Sequence, residues 1–186
     1  MHTLIHILSD GFKSPNDRAF AFPLLMHKPA LARQGINLHF FDREHRRLCE
    51  CDLLIVDSKY FHGPTRGLSG YIMECLSKWR TNQSNLLWFD TTDSAGWIFE
   101  GALSLAKAYY KNQILLDRSL YLKPMYGRRA PSHFYHSHAG ATDENGDDQP
   151  QVQDASILEK LKISWNSGLA NYSLHGPRRL GAYSLF

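Results

Sequence analysis

The sequence predicts an α/β domain built on a doubly wound, mostly parallel sheet of Rossmann-like type, and three observations support this. Short apolar runs alternate with amphipathic stretches, which is typical of βαβ units. Some of the runs are almost continuously apolar, as expected for strands covered on both faces. The runs end in polar residues, and an aspartate recurs at four of these ends.

The first strand and the first helix have clear boundaries. Residues 4–8 form an apolar strand. Ser14 is placed as the N-cap of the following helix, Pro15 fits its first position, and Asp17 favours the positive end of the helix dipole. Because two prolines interrupt this helix, we expect a kink or two short helices; they are Pro23 and Pro29.

The remaining strands follow Gly35, which closes the first helical region. Ile72, Leu76 and Trp79 share one face of a second helix. A polar stretch, residues 90–94, is placed to cap a third helix. The later strands are predicted at residues 36–41, 53–56, 86–89 and 108–110.

The last third of the chain differs from the rest. Residues 127–156 show little periodicity and include an acidic stretch, residues 143–153, so we expect a mobile loop that is sensitive to proteolysis. Residues 157–186 regain some apolar content but are too polar to build a core, which predicts a linker. The predicted organisation is a lobe over residues 1–126, the loop and the linker.

Composition limits the function classes. The formal net charge of +3, from 21 basic and 18 acidic residues, is small and looks scattered, which argues against a nucleic-acid binder. Three cysteines without framework spacing favour free thiols in a reducing compartment. No signal sequence or membrane-spanning run is present in the sequence, so we expect a cytoplasmic protein.

A candidate ligand site lies at the carboxyl ends of the predicted strands, where loops and helix N-termini converge in open α/β sheets. Polar residues there also cap helices and form turns, which is the alternative interpretation of each one. No glycine-rich dinucleotide or P-loop motif follows a strand, and no cofactor is predicted. The candidate ligand-binding residues are Gly11, Lys13, Ser14, Asp57, Lys59, Asp90, Thr91 and Thr92.

Two further features of the sequence, both beyond residue 126, contain side chains that can bind ligands. His133, His136 and His138 form the densest histidine cluster, but their spacing matches no metal motif, and we predict no metal site. Arg128, beside Arg129, suits either a phosphate contact or a solvated turn.

Four blocks of the sequence resemble a family of bacterial GT-B-fold glycosyltransferase-like proteins of surface-polysaccharide synthesis. The blocks are residues 7–16 (ILSDGFKSPN), 88–94 (WFDTTDS), 117–122 (DRSLYL) and 165–169 (WNSGL), in this order along the chain. The resemblance implies two Rossmann-like lobes, of which this chain matches the amino-terminal, acceptor-binding one. A nucleotide-sugar would then bind a second lobe or a partner chain, and the chain alone would be inactive.

The resemblance also suggests catalytic residues. An inverting mechanism requires a group that takes the proton from the acceptor hydroxyl. Asp10 and Asp93 are the preferred candidates, with Asp90 and Asp57 behind them. Asp10 is favoured because the following Gly11 lets the backbone approach a ligand closely. A retaining mechanism would not need this base, and the sequence does not choose between the two mechanisms. The expected partners are a glycosyl acceptor and a nucleotide-sugar, with peripheral membrane association left open.

Two other classes fit some of the residues. In a phospho-receiver module, Asp10 would help to bind magnesium, Asp57 would accept phosphate, Thr91 or Thr92 would be the switch hydroxyl, and Lys123 the lysine. The third class is a non-catalytic interaction domain. Its exposed apolar patch would consist of the aromatic residues Trp165, Tyr172, Tyr183 and Phe186, which are equally able to pack onto the sheet.

Overall fold

The computed structural model describes residues 2–62, 67, 69–92, 94–142 and 151–165. Within these ranges six strands form one all-parallel sheet in the order β2-β1-β3-β4-β5-β6. The strands are β1 Thr3–Leu8, β2 Ile36–Phe41, β3 Leu53–Asp57, β4 Leu86–Asp90, β5 Ala108–Lys111 and β6 Leu161–Ile163. The α-helices are α1 Pro15–Arg33, α2 Ser69–Asn82, α3 Glu100–Leu105 and α4 Ala130–Ala139. Short 3₁₀ turns occupy Ser58–Phe61, Arg118–Leu122, Tyr126–Arg128 and Ala155–Lys160.

The strand order places a topological switch point between β1 and β3. The chain moves from β1 outward to β2 on one side, and then from β3 through β6 on the other. In doubly wound sheets the loops that leave the two strands at such a point diverge at the carboxyl edge, where ligands commonly bind. This arrangement confirms the predicted α/β, Rossmann-like fold class, in a single domain.

Two apolar clusters cover the opposite faces of the sheet. Because successive strand side chains point to opposite faces, Ile7 packs under α1 while Leu8 belongs to the other cluster. The α1 face also includes Phe20 and Phe89. Trp88 lies on the second face, where α2 and α3 pack. Burial on both faces explains why the strands are almost continuously apolar in sequence.

Helix α1 begins as predicted but continues further than expected. The Ser14 hydroxyl accepts a hydrogen bond from the Asp17 N–H at 3.1 Å, and Pro15 follows at the first position. The helix runs as one element across Pro23 and Pro29, so the expectation of two short helices is wrong. Buried residues of α1 pack on the sheet, and this packing outweighs the hydrogen bonds that the two prolines remove.

The predicted strands are all observed, but the predicted cap of α3 is wrong. Phe99 is the residue at the N-cap, and it makes no side-chain capping bond. The Asp90 carboxylate, which belongs to the stretch expected to cap this helix, instead accepts hydrogen bonds from Tyr109 and Lys111 of β5. Because the Asp90 carboxylate is bound within this buried cluster, it cannot also cap helix α3.

The carboxyl-terminal third contains more structure than expected. Helix α4 lies inside the predicted loop and ends at Gly140, which adopts a left-handed φ of 63°. Strand β6 lies inside the predicted linker and pairs with β5, with Leu161 opposite Tyr109. Leu158 and Leu161 are buried, so a few apolar residues suffice to attach this segment. Residues 143–150 and 166–186, which include the loop and tail predictions for Tyr172, Tyr183 and Phe186, lie outside the described residues.

Candidate functional site

The loops after β1 and β4 meet at the carboxyl edge of the sheet. The Asn16 side-chain amide, in the first turn of α1, donates to the Thr91 carbonyl at 2.8 Å. Ser58, just after β3, accepts a hydrogen bond from the Thr91 N–H at 3.1 Å. Three chain segments that are far apart in sequence are thus joined at this edge of the sheet.

The loop of residues 9–14 has an unusual backbone conformation. Gly11 and Phe12 both have a positive φ, 77° and 63°. A Cβ on Gly11 would lie 3.0 Å from the Asp42 Cβ, so glycine is required there both by conformation and by space. A positive φ at Phe12 is strained, and such strain persists only where surrounding contacts enforce it.

Two carboxylates enforce this loop conformation. Asp10 accepts hydrogen bonds from the Lys13 N–H at 2.8 Å and from the Ser14 N–H at 2.9 Å. Asp17 accepts a 2.6 Å hydrogen bond from the Phe12 N–H. The loop amides are therefore bonded to the protein's own carboxylates.

Asp17 and Asp57 form a buried acidic pair beneath the loop. Both side chains are fully buried, and Asp57 accepts a 2.6 Å hydrogen bond from the Thr91 hydroxyl. The two carboxyls interact closely, and burial together with their mutual repulsion favours a proton on one of them. Asp17 Oδ1 and Asp57 Oδ2 have no hydrogen-bond partner among the described residues.

The pKa values of the two acids follow from this environment. Burial, followed by the nearby Asp10 and Asp57, raises the pKa of Asp17 to about 11. Burial also raises the pKa of Asp57, to about 6, although hydrogen bonds from Asp17, Thr91 and the Lys59 N–H oppose the rise. At neutral pH we therefore expect Asp17 to hold the proton.

A second buried cluster lies beside the first, under β4 and β5. Asp90 Oδ2 accepts from the Tyr109 hydroxyl at 2.6 Å and from Lys111 Nζ at 2.8 Å. Asp90 Oδ1 accepts from the Thr92 N–H at 2.9 Å and from the Thr92 hydroxyl at 2.6 Å. Burial and the adjacent Asp90 raise the pKa of Tyr109 well above its ordinary value, so its hydroxyl stays a donor.

Asp10 has a different electrostatic character. Burial opposes its ionisation, but hydrogen bonds from Asp17, Lys13 and Ser14 outweigh burial and hold the pKa of Asp10 below its ordinary value. Asp10 is therefore a carboxylate at neutral pH, a good hydrogen-bond acceptor and a weak base. Its predicted role as the catalytic base stays a prediction.

The predicted site residues lie at two depths. Lys13 is exposed, and the residues at intermediate depth are Asp10, Gly11, Ser14, Lys59 and Thr92. Asp57, Asp90 and Thr91 lie underneath, where they hold the loops in place. Asp93 lies outside the described residues. Arg128 is in the turn before α4, on a different part of the chain from these loops.

A small cleft opens between the ends of β1 and β2. Its volume is about 220 Å³, and it is lined by Ser9, Gly11, Phe12, Phe40, Phe41 and Asp42. The Phe12 and Phe40 rings pack together with their centroids 5.7 Å apart. The sequence analysis did not identify Asp42 and Phe40 as residues that line this cleft. The one signal in the sequence was their position at the end of a strand.

The sequence analysis also missed the burial of Asp17 and the contacts of Asn16 and Tyr109. Each of these residues has a sufficient local explanation in sequence, as a helix cap or a strand residue. Their partners are Asp57, Thr91 and Asp90, which are distant in the chain. Only the fold brings them together.

The histidine cluster does not converge. His133 Nδ1 accepts from the Tyr126 N–H at 3.1 Å, and the His136 ring stacks on Tyr126 at 3.7 Å between centroids. His138 Nδ1 contacts the Phe134 carbonyl at 2.9 Å. Across the described part of the chain, no group of three or more histidine, cysteine, aspartate or glutamate side chains is arranged to bind a metal.

No family model, curated protein or solved structure matches this chain. Among the described helices, none combines the length and the apolar character needed to cross a bilayer.

Proposed function

We propose that this chain is the acceptor-binding lobe of a glycosyltransferase that acts in the cytoplasm in bacterial polysaccharide synthesis. A second lobe or partner chain would bind the nucleotide-sugar. The observation that carries the proposal is the 2.8 Å hydrogen bond from Asn16 to the Thr91 carbonyl. It joins two of the sequence blocks on which the resemblance depends, and it does so at the carboxyl edge of the sheet, where α/β proteins bind ligands.

The other blocks support the same assembly. The Trp165 indole N–H donates to the Phe20 carbonyl at 3.1 Å, and the two rings stack. Arg118 donates to the Leu161 carbonyl at 3.1 Å, which links a third block to β6. The blocks that contain Trp165 and Arg118 thus contact α1 and β6 of the same domain, as expected if the four blocks form one functional unit.

The chemistry of the cleft fits a saccharide. Aromatic rings of Phe12, Phe40 and Phe41 can pack on the apolar face of a sugar ring. The Asp42 carboxylate lines the cleft and can bind the hydroxyl groups of the sugar. Lys13 is exposed and directly follows the lining residue Phe12, so its ammonium is a further candidate for such a contact. In this arrangement Asp10 and Asp93 remain the candidates for the base. Gly11, Ser14, Lys59 and Thr92 provide further contacts, whereas Arg128 would meet a phosphate.

A receiver-like function has one observation in its favour and two against it. Strands β1 to β5 follow the doubly wound order in which Asp57 and Thr91 become neighbours, as a phospho-receiver requires. However, Asp57 is fully buried, and phosphoryl transfer needs an accessible carboxylate. Lys111 pairs with Asp90 and not with Asp57. We therefore prefer the saccharide-binding function.

The proposal is tested by NMR on the ¹⁵N-labelled full chain. The probes are glucose, galactose, N-acetylglucosamine and their disaccharides, with UDP-glucose and acetyl phosphate plus magnesium as competitors. We expect saccharides to shift the amide signals of Gly11, Lys13 and Ser14. Asp42→Asn should weaken this binding about tenfold, since it removes a charged hydrogen-bond acceptor.

The matched control for this experiment is Glu159→Gln. It removes an exposed carboxylate at a position that is distant in sequence from the residues of the cleft. It should bind saccharides like the unchanged chain. Shifts with acetyl phosphate that centre on Asp57 would replace the proposal by the receiver function. An absence of shifts with every saccharide would refute it.

A further inference from the structure

Helix α4 borders a groove along one of its faces instead of packing on the core. The helix is described over its whole length and has no buried side chain. The groove has a volume of about 380 Å³. Its lining residues on α4 recur at the spacing of a single helix face, and they are Ala130, His133, Phe134, Ser137 and His138.

The opposite wall of the groove is apolar and is anchored to the rest of the domain. Leu115, Leu120 and Met125 line this wall. The Leu115 N–H donates to the hydroxyl of the buried Tyr121 at 2.9 Å, and this hydroxyl donates to the Ala95 carbonyl at 2.6 Å. The position of the apolar wall therefore depends on a buried tyrosine.

Tyr126 fixes α4 relative to this wall. The His133 Nδ1 accepts from the Tyr126 N–H at 3.1 Å, and the His136 ring stacks on the Tyr126 ring with 3.7 Å between centroids. Both walls are thus held in place without a ligand, so binding requires little reordering. Pre-formed pockets of roughly 300–1,000 Å³ with mainly apolar linings are typical of sites for small organic molecules.

The few polar groups of the groove favour an anion. Lys123 lines the groove, and no acidic side chain is among the described lining residues. Lys123 forms no ion pair among the described residues. Asp117, in the same segment, accepts instead from the Ser119 N–H and hydroxyl at 2.9 Å and 2.7 Å. Because His133 Nδ1 is an acceptor, the ring proton of His133 is on Nε2, which is then a donor.

We infer that this groove binds a small carboxylic acid with an apolar body, such as an aryl or medium-chain alkyl carboxylate. The apolar body covers Leu115, Leu120 and Phe134, and the carboxylate binds the Lys123 ammonium and the His133 Nε2–H. A fully hydrophilic anion would leave the apolar walls in water, and a neutral apolar molecule would leave Lys123 without a partner. This inference stands independently of the proposed saccharide site.

The test is titration of the ¹⁵N-labelled full chain with octanoate and with 4-phenylbutyrate, followed by NMR. Both should shift the amide signals of Leu120, Phe134 and Ser137. Acetate should bind more than about a hundredfold more weakly than octanoate, because it lacks six methylene groups of apolar contact. Octan-1-ol, which keeps the apolar chain but lacks the charge, should bind about fivefold more weakly.

Two variants separate the charge from the apolar contact. Lys123→Gln should weaken octanoate binding about fivefold and leave octan-1-ol binding unchanged. Phe134→Ser should weaken the binding of both about tenfold, and Phe134→Leu should restore most of it. The matched controls, Lys162→Gln and Ile163→Ser, remove exposed side chains of β6 that do not line the groove. They should bind like the unchanged chain, and circular dichroism should show every variant folded.

Three results would overturn the inference. One is binding of octan-1-ol or octylamine as tight as that of octanoate, which would remove the selectivity for an anion. Another is a set of shifts centred on the cleft at Gly11, or equal losses in the test and control variants. The third is concentration-dependent association of the chain without ligand that shifts the same α4 signals, because a second copy would then occupy the groove.

Discussion

Two buried polar clusters lie side by side under the same edge of the sheet. Each contains a buried carboxylate, but the two clusters stabilise it in different ways. In one, Asp90 is neutralised by Lys111 at 2.8 Å and both side chains are fully buried. In the other, Asp17 and Asp57 have no adjacent basic partner among the described residues, and the raised pKa of Asp17 leads us to expect a proton on it. The comparison shows that a buried carboxylate can be tolerated either by a counter-ion or by protonation.

The difference has consequences for the loops above. The Asp90 cluster includes a full positive charge and four hydrogen bonds to one carboxylate, so its stability does not depend on one proton. The Asp17–Asp57 pair fixes the strained loop at Phe12 and holds Thr91, and it depends on protonation. The loop after β1 is thus the pH-sensitive side of the candidate site.

The largest expected effect is on the ion-pair cluster. Lys111→Met leaves the Asp90 carboxylate buried without a counter-ion, and it should lower the free energy of unfolding by about 3–5 kcal/mol. Urea denaturation measures this loss. Adding Asp90→Asn to Lys111→Met should recover part of it. If the single variant were as stable as the unchanged chain, the ion pair would not be what neutralises Asp90.

The second prediction concerns the proton of the acidic pair. The raised pKa of Asp17 means that the native state keeps a proton that the unfolded chain releases above about pH 4. Stability from this proton is complete below that pH and declines as pH rises from there towards about 11, the pKa of Asp17 in the folded chain. Asp17→Asn cannot lose a proton, so its stability relative to the unchanged chain should rise with pH by up to about 1.4 kcal/mol per unit.

Denaturation from pH 5 to pH 8 provides the measurement, and Asp10→Asn is its control. The pKa of Asp10 is lowered, so its carboxylate stabilises the native state above its unfolded pKa and this stability is lost as pH falls. Asp10→Asn should therefore be destabilising at neutral pH, with a smaller effect in acid. Parallel pH profiles for Asp17→Asn and the unchanged chain would show that Asp17 is ionised in the folded state.

The smallest effects come from removing one hydroxyl from each cluster. Tyr109→Phe removes a 2.6 Å hydrogen bond to a charged carboxylate and should cost about 2 kcal/mol. Thr91→Val removes a bond of the same length to an acid in a proton-sharing pair and should cost about 1 kcal/mol. Urea denaturation of both variants at neutral pH tests the order. The reverse order would indicate that Asp57 carries the greater uncompensated charge.

Local patterns made much of the fold predictable. Alternation of apolar and polar stretches locates β1 to β5, because burial on both faces requires continuous apolar runs. Ser14 and Pro15 fix the start of α1 through their own backbone preferences. Parallel strands bring their carboxyl ends to one edge, and this is why Asp10, Asp57 and Asp90 could be predicted to share it.

Other features depend on contacts between residues that are distant in the chain, and no local sequence pattern indicates them. Strand β6 has only three residues and exists because β5 offers an unpaired edge beside Tyr109. Helix α4 has no buried face, so its apolar period is weak in sequence.

The sequence by itself determined the α/β class, the strand positions and the edge at which the acidic residues collect, since these follow from local periodicity and chain direction. Tertiary structure alone decided which of these acids is buried, which has a lysine beside it and which shares a proton. Burial and charge pairing are properties of neighbours in space. Asp17 meets Asp57, and Asp90 meets Lys111, only when β1, β3, β4 and β5 lie together in the sheet.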